Sequence, residues 1–318
     1  MTLHQLRILR EIARHAHNLS SAAAALHTSQ PGVSRQVQLL ERELGLQLLA
    51  RRKNRITGLT EPGRAILAAA ERALDEAENI RRIAAEYGGE QGGRLMIATS
   101  HLHARYTLLT PIKTFALRHP GVRLQMRQAD PDEILRLVAA GEADLGVSTE
   151  FGDQRAGLVL LPGGVVGRSL IMPIGHPLTE KSKVTLADIA RYPIVGYNPK
   201  QRGGQLISET FRAKGLEPKL VVSAIDSDII KAYVAEGLGI AVIPTPALDP
   251  EADRGLRVAD VTRLFPRTEL TVSLRRDIYL RRYVPDFIRL VAPRWSYDAV
   301  QREIAARVPP EAAVRRKK

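Results

Sequence analysis

The stretch NLSSAAAALHTSQPGVSRQVQLLERELG, residues 18–45, decides the fold at the start of this chain. Its second half favours a helix, because Thr28 or Ser29 can cap the start and Gly45 can adopt the left-handed conformation at the end. Pro31 suits the first turn, where its missing N–H needs no partner. Apolar side chains recur along this helix and share one face: Val33, Val37, Leu40 and Leu44.

The opposite face of this helix is polar and can bond to base edges or phosphates. It carries the following side chains: Gln30, Ser34, Arg35, Gln38 and Arg42. The preceding segment, Ser20 to Leu26, is nearly all alanine, which lets two helix backbones approach closely. This arrangement predicts a helix-turn-helix whose second helix lies in a DNA groove. An ordinary amphipathic helical hairpin with a solvated face is the alternative that the pattern leaves open.

A basic run follows the helix, in the segment ARRKNRITGLTEPG at residues 50–63. Four of its cations, at positions 51, 52, 53 and 55, precede a turn at Gly58. They predict a wing that straddles phosphates with salt-dependent, sequence-independent affinity, although a solvated basic surface would have the same pattern. The predicted DNA-binding residues are Ser29, Gln30, Pro31, Ser34, Arg35, Gln38, Arg51, Arg52 and Arg55.

The whole chain sets limits on the class of protein. Its 318 residues suffice for two or three domains, and its net charge of +13 favours a polyanionic partner. It contains no cysteine, which excludes a disulfide framework, a thiolate nucleophile and a cysteine metal site. Because no stretch looks like a signal peptide or a membrane span, we expect a soluble, cytoplasmic protein that does not bind membranes.

A long helix is predicted after the basic run. Apolar residues repeat in a heptad pattern between residues 61 and 87: Ile66, Ala70, Ala73, Ala77, Ile80, Ala84 and Tyr87. The pattern predicts a linker helix that pairs with a second copy of the chain, while a helix packed on its own chain is the alternative. Glycines then end the helix and mark a domain boundary: Gly88, Gly89, Gly92 and Gly93.

Strands and helices alternate beyond that boundary. Strands are predicted at 95–99, 122–126 and 144–148, with helices at 104–118 and 134–140 between them. A similar set follows, with strands at 194–197, 220–224 and 240–244 and helices at 204–214 and 228–236. Alternation of this kind predicts two α/β lobes built on parallel strands. Ligands collect at the carboxyl ends of such strands, so a small-molecule site is expected between the lobes.

With these elements in this order, the chain resembles LysR-type transcriptional regulators. Three segments resemble the branch that contains the cysteine-biosynthesis regulator and its sulfur-starvation relatives: ATSHLHARYTLLTPIKTF at 98–115, GEADLGVSTE at 141–150 and SAIDSDIIKAYVAEGLGIAVIP at 223–244. The resemblance implies a homotetramer, assembled as a dimer of dimers, that binds double-stranded promoter DNA. Such regulators usually activate transcription by RNA polymerase and respond to a small anionic effector such as sulfate, a sulfonate, adenylyl sulfate or an acylserine, with no cofactor.

The predicted fold class is an all-α winged helix-turn-helix domain followed by a two-lobed α/β effector domain like a periplasmic binding protein. We place the DNA-binding domain at 1–60, the linker helix at 61–90 and the effector domain at 91–308. Lobe I is expected at about 91–164 and 268–308, and lobe II at about 165–267. A basic tail at 309–318 is expected to be disordered.

The resemblance also implies an effector site. In that branch, hydroxyls after the first strand and the amides of a helix start hold the anion. Ser100 keeps the expected hydroxyl, whereas Leu102 replaces a threonine and His103 a glutamine. Thr149 is retained, and Arg202 stands where the family has another threonine. These five residues are the predicted effector site, and their departures suggest an anion related to, but different from, that of the cysteine regulator.

Other functions for the polar residues remain open alternatives. His101 and His103 could form a metal pair, but no third ligand is apparent, so no metal is predicted. Asp226 and Asp228 could be catalytic carboxylates, yet capping of the following helix explains them as well. An enzyme is not predicted, because nucleophile-elbow, Walker and dinucleotide motifs are missing. A two-lobed enzyme or a solute-binding protein with accessory helices is the alternative function; effector turnover, or failure to bind DNA, would favour it.

Overall fold

The computed structural model describes residues 1–52, 55–88, 92–149 and 157–306. The chain divides into two compact units, Met1–Glu90 and Gln91–Lys318. Lys53, Gly89 and the predicted tail at 309–318 lie outside the described residues. In the described part of the chain, every helix is too short or too polar to cross a membrane.

The first unit contains four helices and a hairpin. They are α1 (Leu3–Arg14), α2 (Leu19–Ala25), α3 (Gln30–Leu44), the antiparallel strands β1 (Leu49–Arg52) and β2 (Arg55–Leu59), and α4 (Glu61–Tyr87). Of the two predicted caps of α3, Ser29 takes the role, since its Oγ accepts the N–H of Gly32 at 3.3 Å. Gly45 ends the helix with φ of 66°, the left-handed conformation that the sequence predicts there.

The predicted apolar face of α3 is confirmed. Val33, Val37 and Leu40 are fully buried, and Leu44 is partly buried against the same core. They pack with side chains of α1 and with two buried alanines of α2, Ala22 and Ala23, whose small size lets the helices approach. Burial of this stripe turns the polar face of α3 outward.

The long helix α4 divides into two parts with different surroundings. Its first half packs into the core of its own unit through Ile66, Leu67, Ala70 and Leu74. In its second half, Ile80 is 61% exposed and Tyr87 is 80% exposed. Two residues of the predicted heptad seam, Ile66 and Ala70, therefore pack on their own chain, whereas Ala73 is exposed. Pairing of α4 with a second copy stays a prediction.

Lobe I of the second unit is a mixed five-stranded sheet in the order β4-β3-β5-β12-β6. Its strands are β3 (Gly93–Thr99), β4 (Val122–Gln128), β5 (Leu145–Ser148), β6 (Leu158–Val166) and β12 (Thr268–Arg275). The first three run parallel, and β12 is antiparallel to both of its neighbours. Its helices are α5 (Leu109–Arg118), α6 (Pro131–Ala139), α10 (Tyr283–Val291) and α11 (Tyr297–Ala305). The helix predicted at 104–118 is instead a π-helical turn, His103–Thr107, followed by α5.

Lobe II combines two small sheets. The antiparallel sheet contains β10 (Ala241–Pro244), β7 (Arg168–Pro173) and β11 (Leu256–Asp260), and the parallel pair contains β8 (Ile194–Tyr197) and β9 (Leu220–Ala224). Its helices are α7 (Leu186–Ala190), α8 (Arg202–Arg212) and α9 (Ser227–Ala235). The strands predicted for lobe II run parallel, since β8 pairs in parallel with β9 and Ile194 of β8 bridges in parallel to Ile240, next to β10. What the sequence did not predict is the pair of strands β7 and β11, which add antiparallel pairing as β12 does in lobe I. The chain enters along β7 and leaves along β11, and these neighbouring strands therefore run in opposite directions.

A buried carboxylate joins α3 to the hairpin. Glu41 is 5% exposed, and its Oε1 accepts the N–H of Leu48 at 2.8 Å and that of Leu49 at 3.1 Å. Both amides lie where the chain enters β1. Because unpaired buried amides are costly, this one side chain fixes the position of the hairpin relative to α3.

We expect Glu41→Ala to destabilise the first unit by about 1–3 kcal/mol, because two buried N–H groups lose their acceptor. Hydrogen exchange of the amides of Leu48 and Leu49 in the full chain, followed by mass spectrometry, measures the effect. Glu41→Gln is the matched control, since it keeps an acceptor oxygen and should retain most of the protection. Equal protection in wild type and Glu41→Ala would contradict the assigned role.

Candidate functional site

The outward face of α3 presents the predicted contact residues in one row. Gln30, Pro31, Arg35 and Gln38 are exposed, and Ser34 is half-buried beside them. Ser29, also exposed, caps the helix. The α-helical spacing therefore places polar and cationic groups together on a surface that can enter a major groove.

The hairpin adds cations next to this face. Arg52 is exposed, while the Nη2 of Arg51 lies 3.9 Å from Oε2 of Glu41. The carboxylate that anchors the hairpin thus also contacts one predicted phosphate ligand. The backbone of Arg55 pairs with that of Arg52 in the hairpin, and its side chain lies outside the described part of the structure.

A cleft of about 560 Å³ opens between the two lobes of the second unit. Lobe I contributes the turn after β3, the start of α6 and the end of β5. Lobe II contributes the start of β7, the loop before α8 and the start of α9. We call this space the inter-lobe cleft; it lies at the carboxyl ends of parallel strands, where an open α/β sheet places its ligands.

Four of the five predicted effector residues line the inter-lobe cleft: Ser100, Leu102, Thr149 and Arg202. His103 does not belong with them. It is fully buried in the π-helical turn, and its Nδ1 lies 2.9 Å from the Oγ1 of Thr107. Leu102 and His103 are adjacent in the chain, yet one lines the cleft and the other is buried, because the turn after β3 is π-helical. Residue spacing alone did not indicate this turn.

The cleft also contains charged groups that the sequence analysis did not select. Arg168, buried at 3% exposure, and Lys200 join Arg202 on the lobe II side. Arg168 begins a strand after the lobe crossing, a position with no motif to identify it. Carboxylates line the cleft as well: Asp130, Asp132 and Asp226. These carboxylates offset the predicted excess of positive charge in the cleft. Two of them, Asp130 and Asp226, also cap a helix.

The start of α8 faces the cleft with its backbone. Its N-cap residue, Gln201, makes no side-chain capping bond, and Gly203 and Gly204 line the cleft. A Cβ at Gly204 would lie 2.2 Å from the carbonyl oxygen of Asn198, so only glycine allows this helix start to approach the loop. Hydroxyls are more numerous than predicted, since Ser148 and Ser227 also line the space. Helix-start amides, hydroxyls and cations are groups that bind an anion.

One cluster of possible metal ligands lies at the edge of the cleft. The fold brings Asp226 and Asp228 of lobe II beside His101 of lobe I, with one ligand atom of each within 4.8 Å of the others. Residue spacing did not indicate this cluster, because both aspartates lie far along the chain from His101. The carboxylates already accept protein donors, since Asp226 caps α9 and Asp228 binds Tyr106. The absence of a metal stays a prediction.

A helix-turn-helix with a polar second helix, joined to a two-lobed domain with a cleft for small molecules, defines a ligand-responsive DNA-binding regulator. Residues 3–64 match the bacterial regulatory helix-turn-helix protein, lysR family, and residues 88–296 match the LysR substrate binding domain. The chain therefore belongs to the LysR family of transcriptional regulators. Family membership confirms the predicted fold class, and it confirms that the protein is a DNA-binding regulator rather than an enzyme.

Relatives cover nearly the whole chain. The HTH-type transcriptional regulator SsuR of Burkholderia cenocepacia is 42% identical over 92% of this chain and 95% of its own length. The HTH-type transcriptional regulator CysB of the same organism is 40% identical over 96% of this chain and 97% of its own. A crystal structure of the cofactor-binding domain of the Cbl transcriptional regulator is 37% identical, with a TM-score of 0.63, and covers 67% of this chain and 93% of its own. The predicted resemblance to this branch is confirmed.

We expect Arg52→Ala to weaken binding to random-sequence duplex DNA and to reduce the slope of log K against log salt by about 1, because one phosphate contact is lost. Titrations by fluorescence anisotropy at several salt concentrations measure both quantities. Arg72→Ala removes the same charge from the exposed middle of α4 and is the control. An unchanged slope in Arg52→Ala would exclude this side chain from the phosphate contacts.

The burial of His103 predicts that acid lowers the stability of the second unit. Burial lowers its pKa from 6.5 to about 4, so the unfolded chain binds the proton more readily than the folded one between those values. Stability should be complete above pH 6.5 and fall as the pH drops towards 4, by about 3 kcal/mol at 1.36 kcal/mol per pKa unit. Urea unfolding at pH 7.5, 6 and 5 should show this slope in wild type and a shallower one in His103→Gln. Parallel slopes in both proteins would contradict it.

Proposed function

We propose that this protein activates transcription of genes for sulfur assimilation or for the use of sulfonates and sulfate esters, in response to a small anionic effector. The observation that carries the proposal is the inter-lobe cleft, in which Arg168, Lys200 and Arg202 stand beside the start of α8. Sulfate, sulfonates, adenylyl sulfate and acylserines all carry an anionic group for such a site. The segments at 98–115, 141–150 and 223–244, with their resemblance to the sulfur-regulating branch, support the choice of sulfur chemistry.

Each effector residue has a proposed role. Ser100 and Thr149 donate hydroxyl hydrogen bonds from lobe I, and Arg202 binds anion oxygens in a bidentate manner from lobe II. Leu102 shapes the apolar side of the site. Because Arg168 is buried at the cleft wall, its charge acts in a medium that weakens electrostatic attraction less than water does.

The proposed DNA complex is symmetric. We assign base or phosphate contacts to Ser29, Gln30, Pro31, Ser34, Arg35 and Gln38, and phosphate contacts to Arg51, Arg52 and Arg55. The exposed apolar residues in the second half of α4, Ile80, Ile83 and Tyr87, suit pairing with a second copy. Two such dimers would form the tetramer, and two α3 helices of a dimer would enter successive major grooves.

Effector binding is proposed to act through the lobes. An effector that contacts both walls of the inter-lobe cleft favours one lobe arrangement over another. A change in the lobes of a dimer would alter the spacing of its paired DNA-binding domains, and the resulting bend in the promoter would alter recruitment of RNA polymerase in the cytoplasm.

A thermal-shift screen tests the proposal. Sulfate, thiosulfate, taurine, adenylyl sulfate and N-acetylserine are titrated against the full chain, and at least one should raise the melting temperature in proportion to the logarithm of its concentration. Arg202→Ala should abolish the shift, because it removes an anion ligand. Arg212→Ala, at the other end of α8 and outside the cleft, is the matched control and should keep it. No stabilisation by any of these anions would overturn the sulfur proposal.

A further inference from the structure

Side chains of both lobes converge on Asp228, at the start of α9. From lobe I, the hydroxyl of Tyr106 donates to its Oδ1, and Nε2 of His101 lies 3.3 Å from its Oδ2. Asp228 itself belongs to lobe II. Both oxygens of one carboxylate therefore meet groups of the opposite lobe, which makes this contact a direct link between the lobes.

A buried lysine, Lys231, lies next to Asp228 within lobe II. Lys231 is 7% exposed, and its Nζ donates to Oδ2 of Asp253 at 3.1 Å and to the carbonyl of Ala247 at 2.9 Å. The same Nζ lies 3.8 Å from Oδ1 of Asp228 and 5.1 Å from the centre of the Tyr106 ring. Lys231 is thus held within lobe II while its charge attracts both partners of the link.

The protonation states of Tyr106 and Asp228 favour this hydrogen bond. Burial, followed by the hydrogen bond to Asp228, raises the pKa of Tyr106 far above its usual value, so the phenol remains a donor. Burial acts to raise the pKa of Asp228, but the hydrogen bonds from Tyr106 and His101 outweigh it and lower that pKa. A neutral phenol bonded to an ionised carboxylate is a charge-assisted hydrogen bond, which is stronger than a neutral one.

The link is adjacent to the effector site. His101 stands between Ser100 and Leu102, and all three line the inter-lobe cleft. On the other side, Asp226 and Ser227 line the cleft immediately before Asp228. The bond that joins the lobes therefore also holds the turn that carries the Ser100 hydroxyl.

We propose that Asp228, gripped by Tyr106 and His101, is an inter-lobe latch that sets the lobe angle and positions the Ser100–Leu102 turn for the effector. Within the described residues, the backbone passes between the lobes twice, near Gly167 and between β11 and β12. Side chains also connect the lobes, because Leu102 and Tyr106 pack on a buried cluster of lobe II and Tyr106 donates to Asp228. A ligand shifts an equilibrium between lobe arrangements only by its differential affinity for them. A latch that forms in only one lobe arrangement changes the free-energy difference between the arrangements, and with it the effector's apparent affinity. Asp228 therefore acts as a positioning residue for effector binding.

The absence of cysteine allows a direct test. Leu117→Cys on α5 of lobe I and Lys214→Cys after α8 of lobe II place spin labels at two exposed positions, one on each lobe. Double electron–electron resonance on the full chain without ligand then reports the inter-lobe distance. We expect Tyr106→Phe and Asp228→Asn to broaden or shift the distance distribution, and the double variant to do no more than either single one.

Matched controls lie on α11 of lobe I, which packs against α10 and β6. Tyr297→Phe removes an exposed phenol hydroxyl, and Asp298→Asn an exposed carboxylate charge; neither should alter the distribution. Amide hydrogen exchange in the β3 and β12 peptides checks that each variant keeps its folded core. A distribution unchanged in Tyr106→Phe, the mildest variant, would overturn the latch.

A sulfate titration, monitored by the same spin labels, tests the coupling to the effector site. Loss of a charge-assisted bond should change the half-saturating sulfate concentration by about tenfold in Asp228→Asn relative to wild type. An equal half-saturation point would overturn the positioning role. The predicted change in sulfate half-saturation rests on the proposed function, whereas the distances measured without ligand do not. A wild type that ignores sulfate would count against the proposed function, and the distance measurement would still decide whether the latch exists.

Discussion

Burial of one apolar stripe on α3 is the constraint on which the DNA-binding unit depends. Val33, Val37 and Leu40 must leave water, and the small residues Ala22 and Ala23 let α2 pack closely beside them. Once that stripe is buried, the polar row from Gln30 to Gln38 has to face outward. Glu41 extends the same arrangement to the hairpin, because its carboxylate holds the amides of Leu48 and Leu49. Recognition face and basic hairpin therefore form one rigid body with a shared anchor.

In the second unit, the candidate binding surface lies between two hydrophobic cores. Each lobe has its own buried cluster, and the cleft residues come from turns and helix starts at the edges of the sheets. Turns and helix starts at the edges of sheets are the positions where α/β folds place ligand-binding groups. The cations are concentrated on the lobe II side, whereas lobe I supplies hydroxyls and the carboxylates of Asp130 and Asp132. A ligand with one anionic end would accordingly contact different chemistry on the two walls.

Two kinds of contact join the lobes at the turn after β3: the polar contacts of Asp228, and the packing of Leu102 and Tyr106 on a buried apolar cluster of lobe II. A hydrogen bond to a charged group contributes about 1.5–3 kcal/mol, which is comparable to the coupling of about 1–3 kcal/mol typical of allosteric proteins. The bond from the Tyr106 hydroxyl to Asp228 is of this charge-assisted kind. An effector that binds next to Asp228 would therefore compete with, or reinforce, this interaction.

The sequence by itself determined the features that depend on local chemistry: the bounds of α3, its Ser29 and Gly45 ends, its apolar face, the strand and helix order from β3 to β5 and from β8 to β10, and four of five cleft residues. Caps, periodicity and turn residues act over a few positions, so they are visible in one dimension. Tertiary structure decided the rest. It buried His103 in a π-helical turn, packed Ile66 and Ala70 of α4 into the first unit, added antiparallel strands to both lobes, brought Arg168 to the cleft and placed Asp228 beside it. Those outcomes depend on contacts between residues far apart in the chain, whose energies no local pattern contains.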